Sequence, residues 1–200
     1  FVADQSNNRI RKIVISTGVV TTLAGSGTGR FADGTGVSAS FRSPAGLTLD
    51  TSGNLFIADY ENNRIRQIVI SSGIVTTVAG SNTLGSNDGT GTSAQFRYPQ
   101  GITIDTSGNL FVIDTFNHRI RKIVISSADV STLAGSTYGF ADGTGTSAEF
   151  NNPEGITIDT SGNLFVADTN NHRIRKIEIS TRIVTTLAGS TVGSNDGTGT

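Results

Sequence analysis

The sequence predicts an all-β fold of β-propeller type, built from blades of four short antiparallel strands, on three observations. A unit of about 55 residues repeats along the 200-residue chain, so self-similarity organises the whole of it. Within each unit β-branched residues dominate four short segments, and no stretch joins a helix cap to a 3.6-residue apolar period. Tight-turn residues separate the segments, and one longer glycine-rich crossing links each unit to the next. Short hairpin-linked strands at fixed spacing, joined by a longer crossing, are the pattern of a propeller blade. One blade cannot bury both of its faces alone, so neighbours must stack on it.

The period is read from identical strings. TSGNLF stands at 51–56, 106–111 and 160–165, and DGTG at 33–36, 88–91, 142–145 and 196–199. The chain reads as one propeller segment over 1–200, with repeat units 1–55, 56–110, 111–164 and an incomplete 165–200, about 3.6 copies. Its single shortening, by one residue, falls in the crossing, where a surface loop tolerates it.

The second copy shows the elements in order. Gly46–Asp50 alternates apolar and polar residues, and Thr51–Asn54 supplies a hairpin turn. Leu55–Asp59 is a nearly continuous apolar run, as expected of a strand covered on both faces. Tyr60–Asn63 is a polar turn, Arg64–Ile70 a third strand with Ile65, Ile68 and Ile70 inward, and Ile74–Ala79 a fourth. Gly80 to Pro99 is the crossing, whose Ser-Ala-x-Phe segment (Ala94 and Phe96 here) is expected to tuck it back onto the blade.

Composition narrows the function. Fifteen Lys and Arg against 16 Asp and Glu leave a net charge of −1, so no global field favours nucleic acid or an anionic membrane. No apolar run approaches the roughly 20 residues of a membrane-spanning helix. Without Cys there is no disulfide framework, thiolate metal site or cysteine nucleophile.

Charge concentrates in fixed places. Eleven of the 15 basic residues fall in RIRK or RIRQ segments. Arg9, Arg64, Arg119 and Arg173, with Asp4, Asp59, Asp114 and Asp168 at the end of the preceding strand, are the candidate binding residues. They belong to the face that carries both the second turn and the crossing. One reading is a ring of arginines for acidic glycans, phosphates or RNA. The other is a structural ion pair repeated in each copy, Asp59 with Arg64, and recurrence in every copy favours it. The Ser86–Gly91 loop could offer Asp88 and carbonyls to Ca²⁺, but it brings one acidic ligand where such sites bring several, so it reads first as a turn. His118 and His172 are expected to hydrogen-bond within their own turns. No acid–base or nucleophile set, no metal site and no cofactor motif is read; Tyr60, Tyr98, Phe116, Tyr138 and Arg182 are the main residues that break the repeat.

Asn117-His118-Arg119-Ile120 and Asn171-His172-Arg173-Ile174, each following a strand that ends in Asp, resemble the NHL repeat. The likeness extends over essentially the whole chain, with Asn8 and Asn63 where the histidine would stand. The resemblance implies a β-propeller, often of six blades, in proteins that are mostly binding scaffolds with a few enzymes among them.

The first copy lacks a first strand, so the chain is expected to be an excerpt of a longer array, a subunit whose open blade a second copy completes, or a closed ring of four. The function read here is a non-catalytic repeat scaffold for protein–protein interaction or self-assembly, as an oligomer or extracellular filament. The alternative is an excerpt of a propeller lyase or hydrolase with its catalytic residues elsewhere. Expected partners are a protein or copies of the chain, with glycans as a second class; nucleic acid and a membrane span are not expected. The Ser-, Thr-, Asn- and Gly-rich composition suggests an extracellular or cell-surface setting.

Overall fold

A computed structural model describes residues 1–193 and 199. The fourth DGTG, at 196–199, lies outside the described residues apart from Gly199. Four antiparallel sheets follow one another along the chain: a first of three strands, then three of five. In the second, the order across the sheet is Gly34–Thr35, Ile74–Ala79, Arg64–Val69, Asn54–Asp59 and Pro44–Leu49.

The four long strands lie within a residue or two of the positions read from sequence. The fifth was not expected. In the three crossings that the described residues complete, the two residues Gly-Thr pair with the outermost strand of the next blade, as Gly34 does with Val75 and Thr35 with Ile74. The chain then turns back to begin that blade at its innermost strand. The crossing thus staples the outer edge of the sheet it is about to build, covering backbone groups that an open edge would leave unpaired. The sheets also run across the repeat units: the unit 56–110 takes three long strands from one blade and the inner strand of the next.

Blades stack through three apolar cores of matching composition. Leu55, Ile57, Ile68 and Val75 of the second blade meet Ile10 and Ala24 of the first, with Ala39 and Phe41 from the intervening crossing. The other face of that blade, through Phe56, Ala58 and Ile65, meets Leu110, Val112 and Ile123, with Ala94 and Phe96 between them. Phe150 and Ala148 fill the same role at the third junction. Phe41, Phe96 and Phe150 are each fully buried, a contribution of roughly 1.5–3 kcal/mol of transfer free energy apiece. Ser-Ala-x-Phe therefore anchors the crossing as the sequence suggests.

Two glycine positions are required by close approach. Gly80 follows the fourth strand at φ +90°, where a Cβ would strike the Asn63 carbonyl oxygen, and Gly25, Gly135 and Gly189 repeat the arrangement. Gly46 lies on an inner strand where a Cβ would strike the Gln100 carbonyl oxygen of the next blade. Inner strands therefore converge backbone to backbone around the axis.

Candidate functional site on the turn and crossing face

The second turn of each blade is a single 3₁₀ turn, Tyr60–Asn62 in the second copy, ended by Asn63 in the left-handed region at φ 54°. His118 and His172 end the corresponding turns at φ 56° and 55°. Asn tolerates this conformation better than most residues, and His is also enriched there. The turn throws the Asp59 carboxylate inward, where it has no solvent exposure. Oδ1 accepts from the Arg42 amide at 2.8 Å, and Oδ2 accepts from Asn62 Nδ2 at 2.9 Å and Arg66 Nη1 at 2.7 Å.

The cation that pairs with Asp59 is therefore Arg66, not Arg64. Asp114 pairs with Arg121 at 2.9 Å and Asp168 with Arg175 at 2.8 Å in the same way. Residues 64 and 66 share a face of their strand, and the register sets Arg64 directly opposite Asp59 and Arg66 opposite Ile57; burial overrides that register. Arg66 is fully enclosed, whereas Arg64, at the strand's first position, stays half-exposed with its guanidinium 3.9 Å from the centre of the Phe31 ring. A sealed carboxylate has lost its water and requires a cation sealed with it. Burial pushes the Asp59 and Asp114 carboxyls above the ordinary carboxylate value, against the pull of Arg66 and Arg121.

Each buried arginine also clamps the crossing. Arg66 Nη2 donates to Asp33 Oδ1 at 2.7 Å and to the Ala32 carbonyl at 2.9 Å, and Nη1 donates to the Ser40 carbonyl at 3.1 Å. Its Nε has no acceptor, and the guanidinium lies 5.1 Å from the centre of the Phe41 ring. Arg121 and Arg175 take Asp88 and Asp142 at 2.7 Å each. The DGTG carboxylate is thus engaged by a guanidinium in each of these three crossings. Among the described residues no group of three His, Asp or Glu side chains is placed to hold a metal ion.

The histidine reading is corrected as well. His118 bonds across to the next blade, where Nδ1 accepts from the Asn152 amide at 3.2 Å. Burial, then Arg97, hold its imidazole below the ordinary histidine value, against the Asp168 carboxylate.

The eight candidate residues fall into two groups. Asp59, Asp114 and Asp168 are sealed inside, and Asp4 pairs with Arg11 at 3.5 Å. Arg9, Arg64, Arg119 and Arg173 are half-exposed on the shared face and form no ion pair among the described residues. Arg64 donates to the Asn62 carbonyl and Arg119 to those of Ser86 and Ser136, so they hold loops. On the opposite face, two equivalent grooves of 560 and 540 Å³ run between the Asp-Thr-Ser turns of adjacent blades. The carboxylate of Asp159 there is locked by the Asn163 and Ser161 amides and the Asn163 side chain, which hold it below its ordinary value.

Comparison with known proteins accounts for the recurring Asp-x-x-Asn-(His/Asn)-Arg-Ile core. The NHL repeat family model matches residues 41–68, 96–123 and 150–177. The chain belongs to the NHL-repeat family. NHL repeat-containing protein 2 of Homo sapiens is 34% identical over 163 residues, covering 74% of this chain and 22% of its own. Protein SUPPRESSOR OF QUENCHING 1, chloroplastic, of Arabidopsis thaliana is 31% identical over 191 residues, covering 90% of this chain and 18% of its own. The chain thus spans about a fifth of the length of either relative. An auxiliary nutrient binding protein from Bacteroides thetaiotaomicron superposes with a TM-score of 0.70 at 21% identity, over 91% of this chain and 44% of that one.

In the NHL repeat of this chain, Asn62 holds the buried Asp59, Asn63 or His118 reaches the next blade, and the second arginine locks the crossing. The motif is a fastening. That second arginine and the DGTG aspartate were missed as partners from sequence, although the i, i+2 spacing of RIR was the available signal. No helix among the described residues is long and apolar enough to cross a membrane.

Proposed function

We propose that this NHL-repeat chain is a non-catalytic scaffold for protein–protein contact, and that it joins copies of itself by stacking blade on blade. The observation that carries the reading is the likeness between the inner junctions and the two outer faces. Val2, Ile13 and Val20 of the first blade are 43%, 41% and 49% exposed, whereas their counterparts Ile57, Ile68 and Val75 are 0%, 0% and 1% exposed. On the last blade Ile174 and Leu187 are 41% and 47% exposed, against 0% and 6% for Ile120 and Leu133. One outer face therefore carries the residues that elsewhere cover the other. A blade of the same pattern fits either face, whether it comes from further repeats or from a second copy. Head-to-tail contacts of this kind give a ring if the rotation closes and a filament if it does not.

The non-catalytic part rests on the engagement of the titratable groups. The buried Asp and Arg side chains of the repeat, and the partly buried His118, are taken up by fastening bonds. Light scattering across a concentration series, with negative-stain electron microscopy, tests the stacking. Mass should rise in multiples of 20.8 kDa, and Val20→Asp should suppress the rise. A chain that stays at single-copy mass at high concentration overturns the self-assembly reading.

A further inference from the structure

The repeat breaks most sharply in one place. The second residue of the 3₁₀ turn is Ser6, Glu61, Phe116 or Asn170; the residue before the inner-strand proline is Ser43, Tyr98 or Asn152; the residue after it is Ala45, Gln100 or Glu154. The fold gathers these positions where the turn and crossing face meets the axis. There the Tyr98 ring stands between two others, 5.0 Å from Tyr60 at 41° and 5.2 Å from Phe116 at 65°. Phe116 is 38% exposed and both tyrosines are partly exposed. Tyr98 holds φ +55°, where the sister residue Asn152 sits with less strain.

Charge beside the rings is uneven. Glu61 is paired with Arg42 at 2.6 Å. The Arg97 guanidinium lies 5.9 Å from the centre of the Phe116 ring, leaving the tyrosine faces without a cation among the described residues. Glu154, in contrast, is exposed and forms no ion pair among them. Burial, the Tyr98 hydroxyl and the carboxylates of Glu61 and Glu154 together push the Tyr60 hydroxyl above its ordinary value. Glu154 also lines an axial cleft of 430 Å³ with Gln5 and Gln100, floored by the glycines of the inner strands. Ring faces and an unpaired carboxylate suit a cation. Side-chain amides that can both donate and accept suit a peptide backbone.

We propose that Tyr60, Tyr98, Phe116 and Glu154 form a site for a lysine or arginine side chain of a polypeptide partner, with Gln5 and Gln100 receiving its backbone. The site lies apart from the stacking faces, so it stands or falls independently of self-assembly.

The chain has no tryptophan, and two of its three tyrosines, Tyr60 and Tyr98, belong to the site, so a Tyr138→Phe background makes tyrosine fluorescence a report on them. The probe is a hexapeptide of alternating glycine and arginine, with the glycine–glutamate hexapeptide and maltose as comparisons. Saturable binding of the basic peptide is expected, weakened about fivefold or more by Tyr98→Asn or Glu154→Gln. Glu178→Gln, an exposed carboxylate on the last blade, should leave it unchanged. Tyr98→Asn places the sister copy's residue, and its thermal midpoint should equal or exceed that of the parent chain. No saturable binding, equal binding of the acidic peptide, binding of maltose alone, or an equal loss with Glu178→Gln would overturn the proposal.

Discussion

The amide of Asn152 donates to Nδ1 of His118, 34 residues earlier in the chain, at 3.2 Å. In the earlier copies the amides of Ser43 and Tyr98 donate to Oδ1 of Asn8 and Asn63 at 2.9 Å each. Asparagine in the first two copies and histidine in the third serve the same role because each offers one acceptor at the same point from a left-handed backbone. The bond ties the end of one blade's turn to the start of the next blade's inner strand.

That acceptor makes stability depend on pH. Protonating Nδ1 removes the lone pair, and burial already holds the folded imidazole below its unfolded value of about 6.5. The contribution is therefore complete above the unfolded value and is lost as the pH falls through the depressed folded value. His118→Asn should fold as Asn8 and Asn63 do and should flatten the decline in thermal midpoint between about pH 7 and pH 5. An unchanged slope in that variant would show that the bond is not the source.

The two arginines of each RIR segment should separate cleanly. Arg66→Met leaves Asp59 buried without its cation, a loss of about 3–5 kcal/mol. Arg64→Met removes only half-exposed packing and a loop hydrogen bond, roughly 1 kcal/mol or less. Urea unfolding of the two variants measures both. Equal losses would contradict the assignment of Arg66 as the partner of Asp59.

Gly46→Ala would press a methyl group against the Gln100 carbonyl oxygen where the inner strands meet. Overpacking of this kind costs about 1–3 kcal/mol. Gly53→Ala is the comparison: open space surrounds it, and only its φ of +83° opposes the change. Thermal unfolding should place Gly46→Ala lower, with hydrogen exchange accelerated in both 44–49 and 99–104.

Phe96→Ala should cost about 3–5 kcal/mol, the range for emptying a buried phenylalanine site. Because Phe96 and Ala94 anchor the crossing, amides over 80–98 should exchange faster than those of the strands. Uniform acceleration across the blade would mean that the crossing is held by its arginine clamp rather than by its phenylalanine.

The strands, their order and the phase of the repeat were legible because each rests on local chemistry: two-residue alternation, β-branched runs and turn residues within a few positions of one another. The Gly-Thr strand at 34–35 was not legible, since two residues carry no period. Its pairing with Ile74 and Val75 appears only once the crossing has been laid across the next blade.

The sequence by itself determined an all-β array, its roughly 55-residue period and the NHL-type core. Tertiary structure alone decided that Asp33 meets Arg66 across 33 residues, that His118 serves the following blade, and that Tyr60, Tyr98 and Phe116 share one surface. The reason is physical. Periodicity fixes which side of a strand a residue takes, but residues 64 and 66 take the same side. Only the stacking of blades determines which of them loses its water, and with it which charge requires a partner.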